Sequence, residues 1–226
     1  MAATSQVFDE ARHFYTMRDY LLELDCEVPP LDGYTHTVLT ELLGTPRLVD
    51  KLLGMQLIVE SVAVTLFRSV ANSGVEPVLS ELMPYFERDE ARHVGLGVLY
   101  LPRLLAGATL AERTRLKLLQ LKIVTLIGWG THLKKPYFEA LGMDNNEGFR
   151  RGTRLQREVM DGMRTPEGEE PPGVLVGSRE LDRVNDYAID LFFPRMGAPQ
   201  PAWQKAIIGL VDGLAKVGDR ALRLAA

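Results

Sequence analysis

The sequence predicts an all-α fold, and three observations carry that expectation. Apolar residues recur at helical spacing almost throughout the 226 residues. Alternating strand-like runs bounded by turn residues are nearly absent. Capping residues, prolines and glycines also punctuate the chain where helices would begin and end. With 46% hydrophobic content, a chain of this length can bury a sizeable core, and one compact domain over 1–226 is expected.

Taken in order, a first helix is predicted from about Ser5 to Asp25, stopping before Pro29-Pro30, because the residue before a proline avoids helical angles. A short helix follows Tyr34. Thr45-Pro46 reads as an N-cap with proline at the first helical position, opening a long helix that carries Glu60 and ends near Ser73-Gly74. The next helix spans about Glu76 to Leu105, and Pro84 should either kink it or mark its true start. Thr109 caps a further helix through Leu141-Gly142, placed on the outside of a bundle. From Met143 the pattern weakens, and Thr165 to Gly177, with three prolines among glutamates, reads as a surface loop. Two closing helices are predicted from about Glu180 to Phe193 and from Pro201 to Leu224.

The net charge of -4 and pI near 5.7, with scattered Lys and Arg, give no electrostatic footprint for a polyanion, so nucleic acid is not an expected partner. Cys26 is the sole cysteine, which fits a reducing compartment and reads as a packed thiol. The first residues lack the pattern of a signal peptide, and Glu60, Lys122 or Lys134 interrupts the longest apolar runs. A soluble cytoplasmic protein with no membrane partner is the expectation.

The pentapeptide Asp-Glu-Ala-Arg-His occurs twice, at Asp9 to His13 and at Asp89 to His93, an offset of 80 residues. Each copy falls on a predicted helix. At about 3.6 residues per turn, a Glu and a His three apart project from one face, so both reach one metal ion. A third signal is Glu60, the one acid in the apolar run Leu57 to Val64. A buried lone carboxylate costs several kcal/mol or shifts its protonation, so Glu60 needs a cation or a proton, and a bridging metal supplies the former. The predicted metal ligands are therefore Glu10, His13, Glu60, Glu90 and His93. Carboxylate and imidazole together suit iron, manganese or zinc.

Asp9, Arg12, Asp89 and Arg92 fit a crossed support for this set. Metal-bound imidazole commonly donates its other N–H to a carboxylate. Asp9 would accept from His93 and Asp89 from His13, with Arg12 and Arg92 neutralising the aspartates; the alternative is a set of exposed helix salt bridges. The other two histidines, His36 and His132, read as capping or surface residues. Gly95 and Gly97 leave room either for a ligand or for close helix packing. The aromatics Phe8, Phe14, Tyr15, Tyr20, Phe67, Phe86 and Tyr100 read as core, and no residue gains a catalytic role.

These motifs resemble the ferritin-like di-metal carboxylate superfamily, in particular the branch of ribonucleotide reductase small subunits, R2-like oxidases and diiron oxygenases. The segments Gln6 to Phe14 and Arg88 to Gly95 look like the second and fourth helices of its four-helix bundle. The resemblance covers about residues 5–105, leaving about 109–226 as additional helices. It implies two metal ions, Fe/Fe or Mn/Fe, and an oxidoreductase that activates O2 for oxidation of an unidentified small organic substrate. An electron-donor protein is an implied partner, and the helical surfaces point to a homodimer. In the family a helix with a sixth ligand precedes the first motif, whereas nine residues precede Glu10 here. The expectation is an N-terminal segment missing from this chain, with closure by a later helix or a partner chain as the alternative. Ferritin- or rubrerythrin-like metal storage or peroxide detoxification, and an accessory subunit with an incomplete site, remain alternatives.

Overall fold

The computed structural model describes residues 2–164 and 168–225, and among these every regular element is helical. The elements are α1 (Ala2–Glu23), α2 (Gly33–Gly44), α3 (Leu48–Lys51), a π-helix (Leu52–Val59), α4 (Glu60–Ser73), α5 (Pro77–Leu105), α6 (Leu110–Ala140), α7 (Asn145–Gly162), α8 (Arg179–Phe192) and α9 (Ala202–Ala225).

Helices α4 and α5 form the most extensive pair, with α7 packed against both, while α1 lies along α5. Helix α6 packs against α2, the π-helix and α9. Leu53, Leu57, Val64, Val94, Leu101 and Leu116 form the main buried cluster with Met160 and Met163 of the α7 end. A second cluster joins Val38, Leu42, Ile58, Ile123 and Val176. The continuous helical stretch Leu48–Ser73 is long and apolar enough to cross a membrane by length and composition; here it supplies much of the main core.

Local chemistry sets the boundaries. Thr109 and Glu112 form a reciprocal capping box at the start of α6. Glu76 accepts from the Leu79 N–H, and Pro77 takes the first position of α5. That helix therefore starts well before Pro84 and continues through it; Pro84 is exposed, where water can reach the carbonyl its missing N–H leaves unpaired. Thr45 does not cap the long helix as expected. Its N–H closes α2 on the Glu41 carbonyl, and its hydroxyl accepts from Arg47 N–H, so the next helix begins at Leu48.

Two elements differ from the sequence reading more deeply. Helix α7 forms where the pattern looked weak, because it is polar except for a narrow stripe, with Val159 and Met160 reaching the core. The stretch read as a surface loop is buried from Val174 to Ser178. Gln120 pins it: its side-chain oxygen accepts from Leu175 and Val176 N–H at 2.7 and 3.0 Å, and its amide donates to the Gly173 carbonyl at 2.8 Å. Within the predicted loop, Thr165, Pro166 and Glu167 lie outside the described residues. Cys26 is exposed rather than packed, its thiol 3.5 Å from the Leu24 carbonyl.

Candidate metal centre

Three helices bring the repeated motif and the lone acid into one place. Glu10 and His13 stand one turn apart on α1, Glu60 opens α4, and Glu90 and His93 lie in the middle of α5. Ligand atoms of Glu10, Glu60, Glu90 and His93 all fall within 4.8 Å of one another. His13 joins them through Glu90, with Nδ1 3.1 Å from Oε1. His93 Nδ1 lies 2.8 Å from Glu90, 3.3 Å from Glu10 and 4.0 Å from Glu60. Among the described residues no further acid joins this group.

Both rings use Nδ1 toward the carboxylates and Nε2 toward an aspartate of the opposite pentapeptide. His13 Nε2 is 3.1 Å from Asp89, and His93 Nε2 is 3.3 Å from Asp9. An ionised carboxylate only accepts, so each Nε2 carries the donated proton and the ring orientation is fixed. Arg12 bridges Asp9 and Asp89, and Arg92 reaches the same two carboxylates at 3.2 and 2.5 Å. Both aspartates are buried at 5% exposure, which the exposed salt-bridge alternative does not allow.

The electrostatics follow from burial and crowding. Burial pushes the Glu60 carboxyl well above the usual carboxylate range, and the adjacent Glu90 pushes it further. Burial would raise Glu90 as well, but hydrogen bonds from His13 and His93 outweigh it and hold Glu90 low. For His93 burial favours the neutral ring, yet hydrogen bonds to Glu10 and Glu90 prevail and lift its pKa to about 10. The cluster therefore retains protons at neutral pH, as expected where several carboxylates crowd one pocket without a cation. Carboxylates and imidazole converging in this way could hold a metal ion.

Sequence reasoning missed the amides beside Glu60. Gln56 donates to the Gln6 side-chain oxygen at 2.9 Å, and Gln6 donates to Glu60 Oε1 at 2.9 Å. Their signal is spacing alone: Gln6 precedes Glu10 by four and Gln56 precedes Glu60 by four, so each shares the face of an acid. The π-helix also gave no signal, because an apolar run looks the same in either geometry. It gives way to α4 at Glu60, whose N–H bonds back five residues to the Met55 carbonyl. Such widened turns recur at functional sites.

The aromatics split. Phe86 is buried and stacks on His13 with ring centroids 4.0 Å apart, with Phe67 edge-on at 6.3 Å. Phe8, Phe14, Tyr15 and Tyr100 are exposed. Of the two glycines past His93, Gly97 is a close-packing position, where an added Cβ would lie 3.2 Å from the Gln56 Cβ, and Gly95 faces open space. His36 is exposed as expected; His132 is not, being buried between α6, α8 and α9 with Asp212 as its partner.

The site is exposed at Glu10, whose side chain is 47% exposed, against 3% for Glu90 and His93. Comparison with protein-family models, curated proteins and solved structures gives no significant match to this chain.

Proposed function

We propose that the chain is a ferritin-like di-metal carboxylate oxidoreductase, holding Fe/Fe or Mn/Fe and activating O2 for oxidation or oxygenation of a small organic substrate. The observation that carries this reading is the convergence of Glu10, Glu60, Glu90 and His93 within 4.8 Å, with His13 against Glu90. A reduced metal pair, when bound, supplies the electrons for O2 reduction. The chain's residues do the rest. Glu10 and His13 on one side, Glu90 and His93 on the other, hold the metals, while Asp9 and Asp89 fix the ring tautomers. Gln6 donates to Glu60 Oε1, the oxygen 4.0 Å from His93 Nδ1, and so orients that carboxyl at the cluster. Phe86 and Phe67 keep water from the His13 ring, and the open edge at Glu10 admits small molecules.

The test is O2 consumption by anaerobically iron(II)-loaded protein after admission of O2 with a chemical reductant. Uptake well above that of the same iron free in buffer, lost in a Glu60→Ala, His93→Ala double variant, is expected. Uptake equal to the free-iron control would contradict the proposal. Many irons loaded per chain would favour storage, and no loading would favour an accessory subunit.

A further inference from the structure

A cavity of about 680 Å³ lies between α4, α6, α7 and α8, on a face of α4 other than the one that carries Glu60. Its size falls in the range of small-molecule sites, about 300–1,000 Å³. Its walls are largely aliphatic and aromatic, with Ile58, Val124, Phe149 and Phe193 among them. Neither Glu60, Glu90 nor His93 borders it, so this space is not the metal centre.

The wall also carries polar and charged groups, among them Asn72, Glu147, Arg151 and Gln156, beside several hydroxyls. Ser61, Thr65, Thr131 and Thr153 each donate to the carbonyl four residues back on their own helix. Their protons are spent, and they offer the cavity lone pairs. His132 is 7% exposed, and its Nδ1 lies 2.8 Å from Asp212. Since the carboxylate accepts, Nδ1 holds the proton and Nε2 is the unprotonated nitrogen of a ring that lines the cavity. Burial lowers the pKa of His132 despite Asp212, so the ring is neutral at pH 7 and Nε2 accepts. Phe193 stacks on the ring at 4.4 Å and Phe192 meets it edge-on at 6.4 Å, fixing its plane.

We propose that this cavity binds a mainly apolar small molecule bearing a hydroxyl, of the phenol class, whose O–H donates to His132 Nε2. The apolar walls take the ring by burial, and the buried acceptor selects the hydroxyl, because a ligand without one leaves Nε2 unpaired. The proposal stands on this cavity alone and does not depend on the metal reading. The cavity and the centre share one helix: Ser61 lines the cavity and the preceding Glu60 faces the cluster.

The experiment is a fluorescence titration of the full chain with 1-naphthol and with naphthalene, its counterpart lacking the hydroxyl. On the unmodified chain, 1-naphthol should bind about five- to tenfold more tightly. His132→Phe should abolish that preference. Gly148→Trp should weaken both ligands, since Gly148 lines the cavity and an added Cβ there meets nothing within 4 Å. Circular dichroism checks that each variant is folded, and the two-ligand comparison on the unmodified chain decides the matter should a variant unfold. Equal binding of the two ligands, no binding of either, or a preference retained in folded His132→Phe would each overturn the proposal.

Discussion

Glu60 and His93 are titratable groups whose protons are held by their surroundings, Glu60 as a neutral carboxyl and His93 as a cation, and this has a consequence for the metal-free protein. His93 is raised from 6.5 to about 10, so its contribution to stability is complete below pH 6.5 and is lost as pH rises through about 10. Glu60 is also raised, and its contribution likewise disappears as pH climbs above the usual carboxylate range. Glu90, held low, acts oppositely and loses its contribution on acidification below its ordinary 4.5. Thermal melts of chelator-treated protein should therefore show Tm falling from pH 7 to 10, with a flatter profile in His93→Gln. A Tm that rises over this interval would refute the assignment. Asp89 accepts from His13 Nε2 and would act on a bound metal through that ring. Asp89→Asn should lower metal affinity about 10- to 100-fold in a chelator competition, and unchanged affinity would remove Asp89 from the site.

At the scale of the helix, spacing explains both what could be read in advance and what could not. The two pentapeptides were legible because Glu and His three apart lie on one helical face, and Glu60 because its neighbours are apolar. The helices carrying them were legible for the same reason. The π-helix, Gln6 and Gln56 were not, since amides occur on any helix and a widened turn leaves no mark in composition. Helix α7 hid behind its polarity, and the segment Val174 to Ser178 behind the prolines and glutamates around it; its burial depends on Gln120, which is far away in sequence. Packing between elements also separates two glycines that look alike. A Cβ at Gly54, in the π-helix, would run into the Leu42 side chain of α2, so Gly54→Ala should cost about 1–3 kcal/mol. Gly95 of α5 meets nothing, and Gly95→Ala should stabilise by about 0.5–1 kcal/mol, because alanine loses less backbone entropy in a helix. Urea denaturation of the two variants measures both effects, and equal effects would contradict the packing.

Over the whole molecule, the site is carried by α1, α4 and α5, while α4 and α6 to α9 line the cavity beside His132. That cavity gathers residues from Ile58 to Val211, which is why no local pattern announced it and why His132 read as a surface residue. The helix α1 is the least embraced part of the site: it packs chiefly on α5, and Val7, Phe8, Phe14 and Tyr15 remain exposed along it. Metal bound between α1, α4 and α5 would tie this helix down. Loading with iron(II) under anaerobic conditions should raise Tm and slow amide exchange in α1 most, as for any ligand that binds the native state alone. Uniform slowing without preference for α1 would place the metal elsewhere.

The central claim is that Glu10, His13, Glu60, Glu90 and His93 form a di-metal centre. Elemental analysis of protein purified without chelator, set beside the Glu60→Ala, His93→Ala double variant, tests it most directly. The account predicts about two metal ions per chain, iron alone or with manganese, and their loss in the variant. Equal metal content in the two proteins, or none in either, would contradict it.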